Sequence, residues 1–175
     1  MDRGIDFLKS QVSNAAMQHG TLLKNLEDHE RQADDIRYRD LCSRVIPQMR
    51  EHQRMLEEYQ HALGADAGVT KTVVGKAMGV ARNLADSARE SDFLRLVGDI
   101  VEARQSQDTF ATFREAGKTL GNAQLQQIGE MGERQHEQFI RDANRLVQLM
   151  FVEHVGDVDA GAEVRTTANA EPPRP

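Results

Sequence analysis

The sequence predicts an all-α protein built as a bundle of four long helices, and three observations carry this. Leucine, alanine, glutamate and arginine dominate, while aromatics are only 5% and tryptophan is absent, a mixture that favours helices over strands. Apolar residues recur at steps of three and four over four long stretches. Of the four prolines, three fall in the last five residues, EPPRP, so little interrupts a helix before the C-terminus.

The first helix is expected at about 3–32. Its stripe, Ile5, Leu8, Val12, Ala15/Ala16, His19, Leu22/Leu23 and Leu26, is a sustained bundle seam. Asp34-Asp35 then offers capping oxygens to a second helix at about 36–63, which ends at Gly64. Pro47 sits inside it, so a kink or wide turn is expected near Val45. Residues 64–90 are glycine-rich and break the rhythm, with a short helix expected around Lys76–Ser87. A third helix at about 91–119 opens at Ser91-Asp92, carries Phe93, Leu96, Val97, Ile100, Ala103 and Phe110, and stops at Gly121. A fourth, at about 123–152, carries Leu125, Ile128, Gly132, His136, Phe139, Ala143, Leu146, Val147 and Met150. Short first and last turns with one long crossover between the second and third helices describe a ferritin-like antiparallel bundle. Residues 1–155 form its domain. Residues 156–175, aperiodic and rich in Gly, Ala, Thr and Pro, read as a disordered tail.

The net charge of -6 argues against nucleic acid as a partner. No apolar run reaches membrane-span or signal-peptide length, so the expectation is a cytoplasmic protein off the membrane. The single cysteine, Cys42, can form no internal disulfide and falls at the edge of the apolar stripe, as a buried inert thiol would.

The feature that points to chemistry is histidine on apolar seams. His19, His52 and His136 each interrupt the inner stripe of a different helix at similar depth, and the third helix has Arg104, Gln107 and Asp108 there, with Gln107 on the inner side. Unpartnered buried polar groups cost about 1–3 kcal/mol each, so such a layer satisfies itself, holds water or binds something. As a metal site it would use His19, His52, Glu133 and His136, with Asp108 as a further candidate. Glu133-Arg-Gln-His136 is the Glu-x-x-His spacing of di-metal bundles, whereas Glu58-Tyr-Gln-His61, the same pattern, points outward. Iron, manganese or zinc are the candidate ions. The competing readings are a metal-free hydrogen-bonded network that fixes helix register, and a haem held by two histidines or by a histidine and a methionine.

Three strings extend these observations. His52-Gln-Arg-Met-Leu-Glu-Glu-Tyr-Gln-His-Ala-Leu-Gly64, Lys76-Ala-Met-Gly79 and Thr109-Phe-Ala-Thr-Phe through Leu120-Gly121 together resemble the YciE/YciF-like stress proteins over most of 5–150. The resemblance implies a ferritin-like fold, a homodimer and a stress-response role. It carries His52 and, more loosely, Glu133 over as functional positions. The two glutamates of that family's third helix fall on Ala103 and Ser106, so the implied function is a stress-type bundle, possessing a metal site or none, and not a ferroxidase. A metal-free oligomeric or cargo-type module is the alternative.

Overall fold

The computed structural model describes residues 3–65 and 91–168, with side chains through 156. Four helices account for them: α1 (Arg3–Gln32), α2 (Ile36–Ala62), α3 (Asp92–Leu120) and α4 (Ala123–Ala168). There is no strand among the described residues. Each helix packs on two others, α1 on α2 and α3, α4 on α2 and α3, which closes a four-helix bundle.

The helix ends fall where the sequence placed its breaks. Asp35 caps α2, its Oδ1 accepting from Arg37 N at 2.8 Å. Gly64 and Gly121 close α2 and α3 with φ of 65°, a backbone region that costs glycine no Cβ clash. Asn122 then caps α4 by accepting from Leu125 N at 3.0 Å. Pro47 lies inside a continuous α2; the expected turn near Val45 does not interrupt it. α4 runs to Ala168, past the end expected near residue 152, because no proline follows until Pro172. The crossover and its expected short helix lie outside the described residues, as does the end of the tail beyond 168.

Two hydrogen bonds fix the helix directions. Asp35 N, in the α1–α2 turn, donates to Asp92 Oδ2 at the start of α3 at 2.7 Å. At the other end Asn122 Nδ2, in the α3–α4 turn, donates to Tyr59 Oη near the end of α2 at 2.7 Å. α2 and α3 therefore run parallel, each antiparallel to α1 and to α4.

The interior has two apolar halves. Val12, Ala15, Ala16, Leu56, Tyr59, Phe110, Phe113, Leu125 and Ile128 fill one. The larger half includes Leu22, Leu26, Leu41, Met49, Leu96, Ile100, Phe139 and Ala143. On α1, α2 and α4 the residue between the halves is a histidine: His19, His52 and His136, all 0% exposed. Ile5, expected on the α1 stripe, is 42% exposed because it precedes the packed part of the bundle. No described helix is long and apolar enough to cross a membrane. Cys42 is buried as expected, and burial together with nearby Asp99 pushes its thiol pKa far up, which keeps it protonated and inert.

Candidate metal centre

Three helices each deliver one imidazole to a single point. The nitrogens that His19, His52 and His136 offer lie within 4.8 Å of one another, and no other such cluster of three exists among the described residues. The rings pack edge-on or tilted, with centroids 4.8 Å apart for His19 and His52 and 5.3 Å for His19 and His136.

The outer nitrogen of each ring has a partner that can only accept, and this fixes the tautomers. His52 Nε2 donates to the Ile128 carbonyl at 3.0 Å. His136 Nδ1 donates to the Gly132 carbonyl, one turn back, at 2.7 Å. His19 Nδ1 lies 2.9 Å from Gln53 Oε1. The amide of Gln53 is itself oriented, since its Nε2 donates to Glu57 Oε1 at 2.7 Å. Every outer nitrogen thus carries the hydrogen. The inner ones, His19 Nε2, His52 Nδ1 and His136 Nε2, are left as lone pairs in the neutral rings.

Those lone pairs find no donor among the described residues. His52 Nδ1 and His19 Nε2 face each other at 3.2 Å, and His136 Nε2 has no hydrogen-bond partner. Protonation does not relieve them near neutral pH. Burial lowers the His19 pKa to about 4, against small upward pulls from Gln53 and Glu57. It lowers His52 to about 3, helped by the neighbouring His19 and His136. His136 falls to about 3 through burial and His19. Three neutral imidazoles with inner lone pairs and outer N–H groups held by oxygens have the chemistry of a metal-ligand set, in which the outer hydrogen bond fixes ring orientation.

Gly132 makes the space. A Cβ there would meet His52 Cε1 at 2.3 Å and Phe110 carbons at 2.5 and 2.6 Å. Phe110, from α3, stands with its ring centroid 4.5 Å from His52, 5.1 Å from His136 and 5.8 Å from His19. The remaining helix, α3, therefore closes the layer with a phenyl ring. The polar contribution expected from α3 does not reach it: Arg104 and Asp108 are exposed, and Gln107 is half-buried.

Of the five candidate ligands, the structure brings together the three histidines and leaves out both carboxylates. Glu133 pairs with Arg114 and is partly exposed, because the turn that precedes His136 offers the inner position to Gly132. A di-iron centre does not fit these residues, since it needs several inward carboxylates and the two third-helix positions that the resemblance marks for glutamate are buried Ala103 and Ser106. Ring contacts of His19, His52 and His136 are with one another and with Phe110, so nothing among the described residues outlines a porphyrin slot.

A second polar cluster, unforeseen in the sequence, lies in the larger half of the core. Asp99 is 2% exposed; its Oδ2 accepts from Tyr38 Oη at 2.5 Å and lies 3.0 Å from His29 Nδ1. Glu102 accepts from Asn25 Nδ2 at 3.0 Å, and burial, then Asp99, raises its pKa. Tyr38 is held protonated by burial and by Asp99. Each of these groups has a partner, which distinguishes this self-satisfied network from the histidine layer. The chain matches no family model, no curated protein and no solved structure.

Proposed function

We propose that this chain is a metal-binding bundle of ferritin-like topology, in which His19, His52 and His136 hold one transition-metal ion. The observation that carries the reading is the convergence of three neutral imidazole lone pairs without a proton to share. Two nitrogens on a tetrahedral ion with bonds near 2.05 Å lie about 3.3 Å apart, close to the 3.2 Å between His19 and His52; His136 closes in on binding. The parallel run of α2 and α3, with residues 66–90 between them, supports the ferritin-like topology. The stress-response role and the homodimer rest on the resemblance of the three strings to YciE/YciF-like proteins, and the cytoplasmic setting rests on the apolar patterning of the sequence.

A metal-free reading has one observation in its favour: 3.2 Å is also hydrogen-bond distance, if one ring of the His19–His52 pair carries an extra proton. The lowered pKa of both rings removes that proton at neutral pH, so the metal reading is preferred. A ligand present at a hundred times its Kd stabilises a fold by about 2.7 kcal/mol. For a chain of this size that raises the Tm by roughly 5–10 °C. Thermal melts of chelator-stripped protein, with and without added zinc or copper, are expected to show this shift, and His52→Leu to abolish it. An unshifted Tm with every first-row ion favours the metal-free network.

A further inference from the structure

We propose that the ion preferred by this site is monovalent copper, Cu(I), held three-coordinate by His19 Nε2, His52 Nδ1 and His136 Nε2. The inference rests on the metal-centre reading and adds the ion's charge and coordination number.

The charge argument starts from the donors. All three are imidazoles, neutral as ligands, and no carboxylate among the described residues touches the point where they meet. Glu57 makes no contact there: it is joined through the Gln53 amide and otherwise acts on His19 only by its charge, while Glu133 is engaged by Arg114 and Asp108 is exposed. The three histidines and Phe110 are all 0% exposed, and apolar clusters lie on both sides of the layer. In such a medium the cost of a bare ion grows as the square of its charge. A divalent ion therefore costs about four times what a monovalent one does. Sites for divalent zinc or iron offset this with thiolate, carboxylate or hydroxide ligands, and the described residues supply neither thiolate nor carboxylate here.

Coordination number points the same way. Zinc completes a tetrahedron with a fourth ligand. On the remaining side of this layer stands the Phe110 ring, 4.5–5.8 Å from the three imidazole centroids, where a water or hydroxide would need polar partners. A filled-shell monovalent ion has no such requirement, and imidazole is a good donor for copper. Three nitrogens in a plane about 2.0 Å from an ion lie about 3.5 Å apart, so the His19–His52 pair opens slightly from 3.2 Å while His136 closes in from within 4.8 Å.

The test is an anaerobic competition titration of the full-length chain against bicinchoninate for Cu(I), beside a zinc titration against a chromophoric zinc chelator. The expected result is one Cu(I) per chain, bound at least about a hundredfold more tightly than zinc, with an X-ray absorption shell of three nitrogens. Zinc binding as tight as Cu(I), or a fourth nitrogen or oxygen in the shell, overturns the inference while leaving a metal centre in place. Binding of neither ion overturns the metal-centre reading itself. Phe110→Ala, with its fold checked by circular dichroism, should admit water and shift the balance toward zinc by at least about tenfold. Phe110→Leu, which keeps the side apolar, should not. An unshifted Phe110→Ala ratio, or a shift shared equally by Phe110→Leu, contradicts the role given to this ring.

Discussion

Gly129→Ala is expected to destabilise the bundle by about 3 kcal/mol or more, although alanine is the better helix former. At a free helical surface the exchange gains up to about 1 kcal/mol. At Gly129 the new Cβ would lie 2.2 Å from Arg114 N, 2.7 Å from Arg114 Cα and 2.7 Å from the Phe110 carbonyl oxygen. These are backbone atoms of α3, so no rotamer change relieves the clash, and the two helices must separate along their shared length. Overpacking of flexible side chains already costs about 1–3 kcal/mol, and a backbone clash belongs at or beyond the top of that range. Gly98→Ala is the matched control, because nothing lies within 4 Å of its added Cβ; it is expected to gain about 0.5–1 kcal/mol. Urea midpoints of the two variants should move in opposite directions. Equal shifts would mean that α3 and α4 do not approach as closely as the structure shows.

The metal-free protein is expected to lose stability steeply as pH falls from 6.5 toward 4. The sign follows from the histidine layer. Burial holds the folded pKa of His19 at about 4 and those of His52 and His136 at about 3, below the ordinary 6.5. Above pH 6.5 all three are neutral whether folded or not, and they contribute nothing to the pH dependence. Below it the unfolded chain takes up protons that the folded one refuses, so the balance moves toward unfolding until the folded values are reached. Each histidine contributes about 1.4 kcal/mol per pH unit, and three together at most about 4 kcal/mol per unit. Set against a total stability of about 5–15 kcal/mol, this places acid unfolding at about pH 5 for a protein at the low end of that range and lower for a more stable one. Urea denaturation at pH 7 and pH 5, in the presence of chelator, measures the slope. His136→Gln should flatten it by about a third, and a wild-type curve flat over that interval would show that the layer is wet or charged.

Much of this was written in the chain. The α1, α2 and α4 seams are amphipathic enough that counting in threes and fours places His19, His52 and His136 inside, and Asp35, Gly64 and Gly121 mark ends of α2 and α3. The α3 contribution was not legible, because apolar residues surround that helix: Leu94 and Val101 are exposed while Asp99 and Ser106 are buried. A rotation of one residue then decides whether Ser106 or Gln107 shares the inner face with Phe110. Glu133 misled for a related reason, since a spacing of three residues from His136 leaves room for Gly132 at spacing four to take the inner face. The carbonyls of Ile128 and Gly132 carry no sequence signal at all. Gln53 left one only in hindsight, as an amide beside His52 at the edge of the seam. The His29–Asp99 contact joins residues 70 apart in sequence, and a single sequence gives no means to pair them.

A metal centre and a packing device differ in whether the three buried imidazoles retain an ion. The most direct measurement is the metal content of the full-length chain by inductively coupled plasma mass spectrometry, after anaerobic loading and desalting, beside His136→Gln. One ion per chain in the wild type, and a small fraction of that in a folded His136→Gln, is the predicted result. No retained ion in the wild type, or equal retention by the variant, would contradict it.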